Sequence, residues 1–568
     1  MRAWIVVAAM VFAASGAFAA QAPVAYRLTP VVDQGALSAL AVEMRFSGDT
    51  DGVTDLELPS QWAEGEKLWR LVSDLRVEGA RLDPGGEAVR VLRHRAGAEI
   101  TVRYAIKVTG EADPGRDHAK GEPVVRPAWF MAHGEGLFAA PAGRQGEAAT
   151  FAWGARPKSW TLVSDLDHLA GRAGVVSEII DSVVVGGTEV TRVDARVAGA
   201  PLRVAVIGQW PATPQAITDM AVRIMTAENA LWRDTGRPFL ITVTPLGNAA
   251  GGGYSSTGTG KGDAFAIEST TNVDLTRDPH FLAHEYMHTW LPNQVGGLPK
   301  TAEAREYWFS EGFTDFYATR ILLASGIWSL EDYVARYNEV LTRYGGSPAR
   351  NFTADQVMAV FWSNPDAQQS PYDRGRLLAL RWDRAVREAS GGRLSLDDVM
   401  RRQRDLVRAG NTTWTGAPLF PGTLEAVVPD LKAGPDLERY VTKGETVRLE
   451  DGVFGTCLAL RTKSVAVFDR GFDGAKSGQT GVISGVDPAG PAYAAGLRDG
   501  MKRLGREGGK EGDSRVPIGY RVAGEDGVPR LITYLPAGRA TFELQEVSIR
   551  PGLSAAQRGA CVADLSGA

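Results

Sequence analysis

Two histidines that lie one helical turn apart, His284 and His288, enclose a glutamate in the stretch His284-Glu285-Tyr286-Met287-His288. Four residues advance about 400° around a helix axis, so both imidazoles project from one face and can share one tetrahedral metal ion. Glu285 lies about 100° further round, where its carboxylate reaches a water on the metal without displacing a ligand. The spacing therefore predicts a zinc site that carries its own general base.

Two ligands do not complete such a site, because catalytic zinc usually takes three protein ligands and one water. The downstream stretch Trp308-Phe309-Ser310-Glu311-Gly312-Phe313-Thr314-Asp315 supplies Glu311 as the third donor. Ser310 is predicted to cap a helix that begins at Glu311 and runs to about Ala324. Asp315, one turn later, is predicted to accept the free N–H of a liganding histidine and so fix its tautomer.

A His-x-x-x-His pair on an amphipathic helix can also be incidental. The chain contains only seven histidines, however, so a chance match to His-Glu-x-x-His is rare. Asp278 is a suitable N-cap with Pro279 at the first helical position, and Pro292 cannot continue the helix. These boundary residues place the histidine pair on a short, well-defined helix.

The surrounding elements follow from hydrophobic periodicity. Residues 211–444 are predicted to form a mostly helical domain that opens with a helix over 213–235 and a strand over 239–244. Asp263 to Glu268 is a candidate further strand. Later helices are expected near 279–291, 311–324, 330–343, 373–388 and 395–408, the last with Ser395 and Asp398 as a helix-start box.

Residues on either side of this helical region alternate between apolar and polar in the manner of half-buried strands. The alternation is clearest from Ile100 to Val108, and it predicts an N-terminal antiparallel β domain over residues 21–210. Sequence rich in strand-forming residues returns after Gly444, which predicts a C-terminal β domain over residues 445–568. The expected fold class is therefore multidomain α+β. A length of 568 residues independently predicts more than one domain.

The net charge, the N-terminal residues and the two cysteines indicate where the protein is located and which partners it can bind. A formal net charge of -5 and a pI near 5.9 give no basic surplus, so no nucleic-acid partner is predicted. Arg2, an apolar run from Ile5 to Ala14 and the small residues of Ala17-Phe18-Ala19 predict a cleaved signal peptide over residues 1–20. The mature chain is expected to be exported, periplasmic or secreted, with no membrane span. A disulfide between Cys457 and Cys561 is favoured over two free thiols.

His284-Glu285-Tyr286-Met287-His288-Thr289-Trp290, followed by Trp308-Phe309-Ser310-Glu311-Gly312-Phe313-Thr314-Asp315-Phe316-Tyr317, closely resembles the glycyl aminopeptidase family of zinc peptidases. This family belongs to the thermolysin-like group with a glutamate as third ligand. The resemblance implies one Zn²⁺ per chain held by His284, His288 and Glu311, with Glu285 as general base. It also implies an N-terminal β domain, a thermolysin-like catalytic domain and a C-terminal PDZ domain.

The segment Ser370-Pro371-Tyr372-Asp373-Arg374-Gly375 resembles the Tyr-x-Lys-Gly segment of related aminopeptidases. The resemblance implies that Tyr372 donates a hydrogen bond to the oxyanion of the reaction. The alternative is an ordinary aromatic residue at the start of a helix.

Typical family members carry Gly-Gly-Leu-Glu-His before the zinc helix, where a glutamate holds the substrate's free amine in related aminopeptidases. This chain has Gly252-Gly253-Tyr254-Ser255-Ser256 instead. The resemblance makes Gly252 and Gly253 substrate-binding residues, but no carboxylate occupies the matching place. Glu268 on the next strand is one substitute, although an exposed strand glutamate is the simpler interpretation.

Residues 481–492 and Ala495-Gly496-Leu497 resemble the PDZ pattern of a strand, a turn and a helix end. Asp469-Arg470-Gly471-Phe472 corresponds to a carboxylate loop, where an extended C-terminal peptide could add as a strand. A packing module beside the active site is an equal alternative.

Three functional interpretations remain open. The leading one is an exported zinc aminopeptidase that removes small N-terminal residues such as Gly or Ala from peptide or protein substrates. The second is a zinc endopeptidase or dipeptidase without free-amine recognition, suggested by the missing glutamate. The third is a non-catalytic PDZ scaffold that binds peptides.

Overall fold

The computed structural model describes residues 22–248, 254–410 and 412–567. The predicted signal peptide and the two glycines Gly252 and Gly253 lie outside these residues. The chain divides between Val190 and Thr191 into two compact units.

The first unit is built almost entirely from strands, as the alternating sequence predicts. Its strands are β1 Val24–Asp33, β2 Ala36–Ser47, β3 Val53–Glu57, β4 Val72–Glu78, β5 Arg81–Leu82, β6 Val89–Arg93, β7 Glu99–Lys107, β8 Val124–Val125, β9 Trp129–His133, β10 Ala140–Pro141, β11 Ala148–Trp153, β12 Thr161–Ser164, β13 Gly174–Val175 and β14 Val183–Gly187. Two short helices, α1 Gly134–Leu137 and α2 Val176–Ile180, and two 3₁₀ turns, Leu68–Leu71 and Asp165–Leu169, complete it.

These strands form three sheets with the orders β13-β11-β1-β2-β7-β4, β10-β3-β6-β5 and β12-β14-β9-β8. The pairing is antiparallel throughout except where β1 runs parallel to β11. In β7 the side chains of Ile100, Val102, Tyr104 and Ile106 are buried while their neighbours are partly exposed. The period-two pattern in the sequence thus marks the face that forms the core of this unit.

The second unit contains the predicted helical region and everything after it. Its strands are β15 Val190–Val197, β16 Ala200–Ile207, β17 Phe239–Leu246, β18 Ser256–Gly260, β19 Ala264–Thr270, β20 Leu458–Phe468, β21 Lys502–Lys510, β22 Asp513–Ala523, β23 Pro529–Tyr534 and β24 Ala537–Ile549. Its helices are α3 Pro214–Trp232, α4 Pro279–Met287, α5 Tyr307–Ala324, α6 Leu330–Gly346, α7 Ala354–Val360, α8 Pro365–Ala389, α9 Leu396–Arg408, α10 Gly416–Val427, α11 Gly434–Asp436, α12 Gly474–Thr480, α13 Pro491–Ala494 and α14 Ala555–Ser566.

The five-stranded sheet of the second unit has the order β15-β16-β17-β19-β18, with β16, β17 and β19 parallel and β18 antiparallel at one edge. The sequence pattern predicts that residues 190–207 belong to the N-terminal β domain, with its boundary at 210. The structure instead joins β15 and β16 to the sheet of the second unit. Alternation within a strand cannot reveal which sheet the strand enters, because partner choice depends on tertiary packing.

The C-terminal region from residue 445 is bonded to the helices before it. Asn338 on α6 exchanges two hydrogen bonds with the backbone of Val547 on β24, at 2.9 and 2.8 Å. Cys457 and Cys561 form a disulfide with a Cα–Cα separation of 5.9 Å, which fastens α14 to the chain before β20. The helical region and the C-terminal region therefore fall within one compact unit.

A small core of Ile483, Ala492, Leu497, Ile518, Tyr520 and Val522 organises the part of this region that resembles a PDZ domain. Within it, β21, β22 and β23 form an antiparallel sheet. In residues 481–492, where the resemblance implies a strand and a turn, the strand is reduced to one bridge between Val482 and Lys502, and residues 474–480 form α12. None of the described helices is long and apolar enough to cross a membrane.

Candidate metal centre

The helix α4 presents the histidine pair. It begins at Pro279, with Asp278 in the N-cap position, although the Asp278 side chain makes no capping hydrogen bond. The helix ends at Met287, earlier than the predicted residue 291, but His288 keeps a right-handed helical conformation with φ −60° and ψ −14°. The two imidazoles therefore remain one turn apart on one face.

The helix α5 presents Glu311. It begins at Tyr307, so the predicted helix start at Glu311 and the capping role of Ser310 are wrong. The backbone N–H of Ser310 already donates to the carbonyl of Glu306 at 3.1 Å, inside the first turn. Trp308 and Phe309 are buried in the core and stabilise this additional turn. Glu311 consequently sits one turn inside a rigid helix.

These two helices bring His284, His288 and Glu311 together. Oε2 of Glu311 lies 3.2 Å from Nε2 of His284 and 3.5 Å from Nε2 of His288. One ligand atom from each residue lies within 4.8 Å of the others, and no other such group of His, Cys, Asp or Glu occurs in the described chain. The imidazole rings stand almost perpendicular, at 89°.

Hydrogen bonds on the far side of each ring fix the histidine orientations. Nδ1 of His284 lies 3.0 Å from Oδ1 of Asp315, and Nδ1 of His288 donates to the carbonyl oxygen of Leu291 at 2.6 Å. Because carboxylate and carbonyl oxygens accept, both Nδ1 atoms carry a proton, which leaves the two Nε2 atoms, both facing Glu311, as the nitrogens that can bind a metal ion. The site is thus arranged to donate two nitrogens and one oxygen to a metal ion.

Asp315 is itself held by residues that the sequence analysis did not single out. Its Oδ2 pairs with Arg376, whose side chain is completely buried, and its Oδ1 lies 3.6 Å from Nε2 of His280. Burial raises the pKa of Asp315, but Arg376 and then His284 outweigh it and hold that pKa well below its usual range. Asp315 is therefore ionised. In the sequence, Arg376 directly precedes the apolar run Leu377-Leu378-Ala379-Leu380. A charged residue beside such a run indicates a buried arginine that needs an acidic partner.

The neighbour His280 is uncharged. Burial, reinforced by Arg336, lowers the pKa of its imidazole well below the usual value. Its Nε2 lies 3.2 Å from the Arg376 guanidinium, which donates because arginine has no acceptor. The ring also stacks on Trp328, with centroids 5.8 Å apart. His280 therefore positions Arg376, and Arg376 holds the Asp315 carboxylate in place behind His284.

Two glycines allow α5 and α8 to approach at the centre. A Cβ atom on Gly312 would overlap Cα of Gly375, and one on Gly375 would overlap the carbonyl oxygen of Trp308. The backbones therefore touch directly beside Glu311. This crossing sets the distance between Glu311 on α5 and the residues that α8 contributes, Tyr372 and Arg376.

Tyr372 stands over the metal ligands. Its ring centroid lies 6.0 Å from that of His284, and the ring planes differ by 19°. Burial, and then the negative charge of Glu311, raises the pKa of the Tyr372 phenol far above its usual value. The hydroxyl remains protonated at all ordinary pH values and is a hydrogen-bond donor. α8 begins at Pro365, so Tyr372 lies inside this helix and not at its start.

Glu285 is partly exposed, and its carboxylate makes no hydrogen bond or ion pair within the described chain. It is therefore free to accept a proton.

Glu268 differs from the exposed strand residue that the sequence favoured, because only 3% of it is exposed. It also lies on the face of β19 opposite Phe265 and Ile267, which pack with the α4 core.

The comparison with protein families bears on the same segment. Residues 278–378 match the family model described as M61 glycyl aminopeptidase. The matched segment contains α4, α5 and Tyr372, and the match confirms both the resemblance and the prediction of a metallopeptidase. No curated protein shows significant sequence similarity to this chain.

Solved structures share the fold at low sequence identity. An aminopeptidase N family protein from Idiomarina loihiensis is 17% identical, with a TM-score of 0.66 over 94% of this chain and 99% of that chain. An M1 zinc metallopeptidase from Deinococcus radiodurans is 16% identical, with a TM-score of 0.46 over 76% of this chain and 95% of that chain. The first similarity supports a multidomain α+β architecture over nearly the whole chain.

Proposed function

We propose that this protein is a zinc-dependent aminopeptidase that binds one Zn²⁺ per chain through His284, His288 and Glu311. The observation that carries the proposal is the spacing of the three donor atoms. Zinc bonds of about 2.0 to 2.2 Å at tetrahedral angles place donor atoms roughly 3.3 to 3.6 Å apart. The measured nitrogen–oxygen distances are 3.2 and 3.5 Å.

The donor chemistry fits the same ion. Two neutral imidazoles and one carboxylate are the ligand set of catalytic zinc sites in thermolysin-like peptidases. Without a metal, burial would raise the pKa of Glu311, but the positive charge of the His288 and then the His284 imidazolium outweighs burial and keeps that pKa below its usual value. The carboxylate is thus ionised and available as a ligand.

When bound, zinc supplies Lewis acidity at this position. Glu285 accepts the proton of the attacking water and passes it to the leaving amine. The Tyr372 hydroxyl donates a hydrogen bond to the oxyanion that develops on the scissile carbonyl. Asp315 keeps the His284 ring in the orientation that the ligand set requires.

Removal of small N-terminal residues, Gly or Ala, is proposed from the M61 glycyl aminopeptidase description. An endopeptidase or dipeptidase is the second candidate, because the sequence has no carboxylate at the place of the amine-holding glutamate. A scaffold without catalysis fits less well, because ligands, base and oxyanion donor all occur together.

Export to the periplasm or the medium is proposed from the signal-like residues 1–20. The Cys457–Cys561 disulfide supports it, because such bonds persist in oxidising compartments. A C-terminal PDZ-like domain remains part of the same proposal.

The test uses the purified full chain with its zinc content measured by mass spectrometry. Glycine and alanine 4-methylcoumarin amides should be cleaved in the presence of one equivalent of zinc, and their N-acetylated forms should resist cleavage. Cleavage of both forms at similar rates would replace the aminopeptidase with an endopeptidase. A zinc-loaded protein that cleaves neither these amides nor a mixed peptide library would refute the proposal.

A further inference from the structure

A cavity of about 610 Å³ lies where the C-terminal ends of α3, α5, α8 and α14 meet the start of α9. Ala324, the last residue of α5, belongs to its lining. A helix rises 1.5 Å per residue, so Ala324 lies about 20 Å along α5 from the metal ligand Glu311. The cavity is therefore separate from the metal centre.

Arginines outnumber acidic residues in the lining of this cavity. Its charged residues are Arg233, Arg387, Arg393, Arg401, Asp397 and Asp398. Asp398 pairs with Arg401 at 2.7 Å, and Asp397 pairs at 2.7 Å with Arg320, which is buried on α5. Both aspartates are thus neutralised by fixed partners, and three arginines of the lining remain.

These three arginines have little to balance them. Nε of Arg387 donates to Asp383 at 2.8 Å, but its Nη2 is buried and has no hydrogen-bond partner in the described chain. Arg233 and Arg393 are exposed, and neither side chain forms an ion pair or hydrogen bond with the described residues. The cavity therefore carries two surplus positive charges and a buried donor that lacks an acceptor.

The backbone holds both surplus charges in place. Arg233 is the C-cap of α3, where its N–H donates to two carbonyl groups of the last turn. Arg393 follows Gly391 and Gly392, whose φ angles of 62° and 80° form a tight turn that favours glycine. The N–H of Leu394 then donates to Oγ of Ser390 at 3.0 Å, which closes the turn. Both arginines are thus presented from fixed backbone positions at the cavity.

The rest of the lining is mostly apolar. α3 contributes Ala227, Ala230 and Leu231, and α5 contributes Ile321 and Ala324. We call these five residues the apolar wall. A ligand that fills the cavity should therefore combine an anionic group with an apolar part.

We propose that this cavity binds a phosphomonoester dianion, with its phosphate at Arg233, Arg393 and the free Nη2 of Arg387 and its organic part against the apolar wall. Two negative charges match the two surplus positive charges, and arginine binds phosphate oxygens with two parallel hydrogen bonds. The volume exceeds that of a phosphate group, which leaves room for the organic part. This site goes beyond the proposed peptidase activity and does not depend on it.

The test measures binding by calorimetry with the zinc-loaded full chain in Tris buffer at a pH of about 8, where a phosphomonoester is a dianion because its second pKa is about 6. The probe is phenyl phosphate. Phenyl sulfate has the same shape but one negative charge, and it should bind at least about tenfold more weakly. Inorganic phosphate lacks the ring, and it should bind about threefold or more weakly.

Substitutions of the two surplus arginines identify the binding site. Arg233→Gln and Arg393→Gln should each weaken binding of phenyl phosphate about fivefold or more, and the double variant should no longer prefer phosphate over sulfate. Neither guanidinium has a structural partner to lose, so the fold should be retained, which circular dichroism checks. Arg402→Gln is the matched control, because Arg402 is an exposed arginine of α9 that does not line the cavity.

Three results would overturn the proposal: equal affinity for phenyl phosphate and phenyl sulfate, full affinity in the double variant, or an equal loss in Arg402→Gln. Full affinity in the double variant would place the ligand elsewhere, including at the metal. If inorganic phosphate binds as tightly as phenyl phosphate, the cavity holds a free phosphate ion and the organic part is refuted. None of these measurements uses peptide hydrolysis, so they leave the peptidase proposal to its own test.

Discussion

Nδ1 of His284 lies 3.0 Å from Oδ1 of Asp315, while Nε2 of the same ring faces Glu311 at 3.2 Å. One imidazole therefore connects a buried carboxylate to the ligand set. Arg376 occupies the other oxygen of Asp315, so both carboxylate oxygens accept hydrogen bonds from fixed donors. Replacing the Asp315 carboxylate by an amide of the same shape should therefore disturb the orientation of His284.

Asp315→Asn should weaken zinc affinity about 10- to 100-fold. An amide carries only one acceptor oxygen, so its NH₂ group must oppose either Arg376 or the His284 N–H. Zinc dissociation constants measured by competition with a chromophoric chelator give the readout. Asp332→Asn is the matched control, because Asp332 caps α6 on the surface. Equal zinc affinity in the two variants would contradict an orienting role for Asp315.

Glu285→Gln should retain zinc and lower turnover about 100- to 10,000-fold, because an amide cannot accept the proton of the attacking water. Glu311→Ala should lose both zinc and turnover, because it removes a ligand. Metal content and hydrolysis of alanine 4-methylcoumarin amide separate the two effects. Parent-level turnover in Glu285→Gln would exclude this mechanism.

Tyr372→Phe should lower kcat about 100-fold with little change in KM, because the lost hydrogen bond forms only as the oxyanion develops. The ring still packs beside His284, and the hydroxyl makes no hydrogen bond to the described residues, so zinc affinity and stability should be unchanged. A rise in KM at constant kcat would instead assign Tyr372 to substrate binding.

The grouping of His284, His288 and Glu311 was predictable from residue types and local spacing. Asp278, Pro279 and the histidine spacing define a helix from the sequence alone, and the donor Glu311 follows from the coordination that zinc requires. The start of α5 was missed because Ser310 is a good capping residue by type, whereas buried packing of Trp308 and Phe309 extends the helix by a turn. Tertiary packing here outweighs local preference.

Residues contributed by distant segments were not predictable in the same way. Arg376 becomes the partner of Asp315, and His280 the partner of Arg376, only when α4, α5 and α8 pack together, and no spacing rule relates them. The side of the sheet on which Glu268 lies, and the sheet that β15 and β16 enter, also depend on tertiary pairing. Sequence periodicity identifies buried faces but not what covers them.

The helix crossing beside Glu311 gives a stability prediction. Gly312→Ala should destabilise the second unit by about 2 kcal/mol or more, because the new methyl group overlaps the backbone of Gly375. Gly559→Ala on α14 is the control, since open space surrounds that position and alanine should stabilise the helix by up to about 1 kcal/mol. Urea unfolding midpoints of the two variants should move in opposite directions. Equal urea midpoints would show that α5 and α8 can move apart with little loss of unfolding free energy.

Asp165 in the first unit gives a prediction of pH dependence. This residue is 5% exposed, and burial raises its pKa to about 7 although the backbone N–H of Val183 donates to Oδ1 at 3.0 Å. The unfolded value is about 3.9. Because the folded pKa is the higher one, the folded state retains a proton that the unfolded state releases. Its contribution to stability is therefore complete below pH 4 and is lost as the pH rises to about 7.

Asp165→Asn should remove this loss, because the amide imitates the protonated carboxyl and does not titrate. Between pH 5 and pH 8 the wild-type unit should lose up to about 3 kcal/mol relative to the variant. The measurement is the difference in unfolding free energy between the two proteins at each pH, from urea titrations followed by tryptophan fluorescence. A difference that stays constant from pH 5 to pH 8 would show that Asp165 is already ionised at pH 5 in the folded protein.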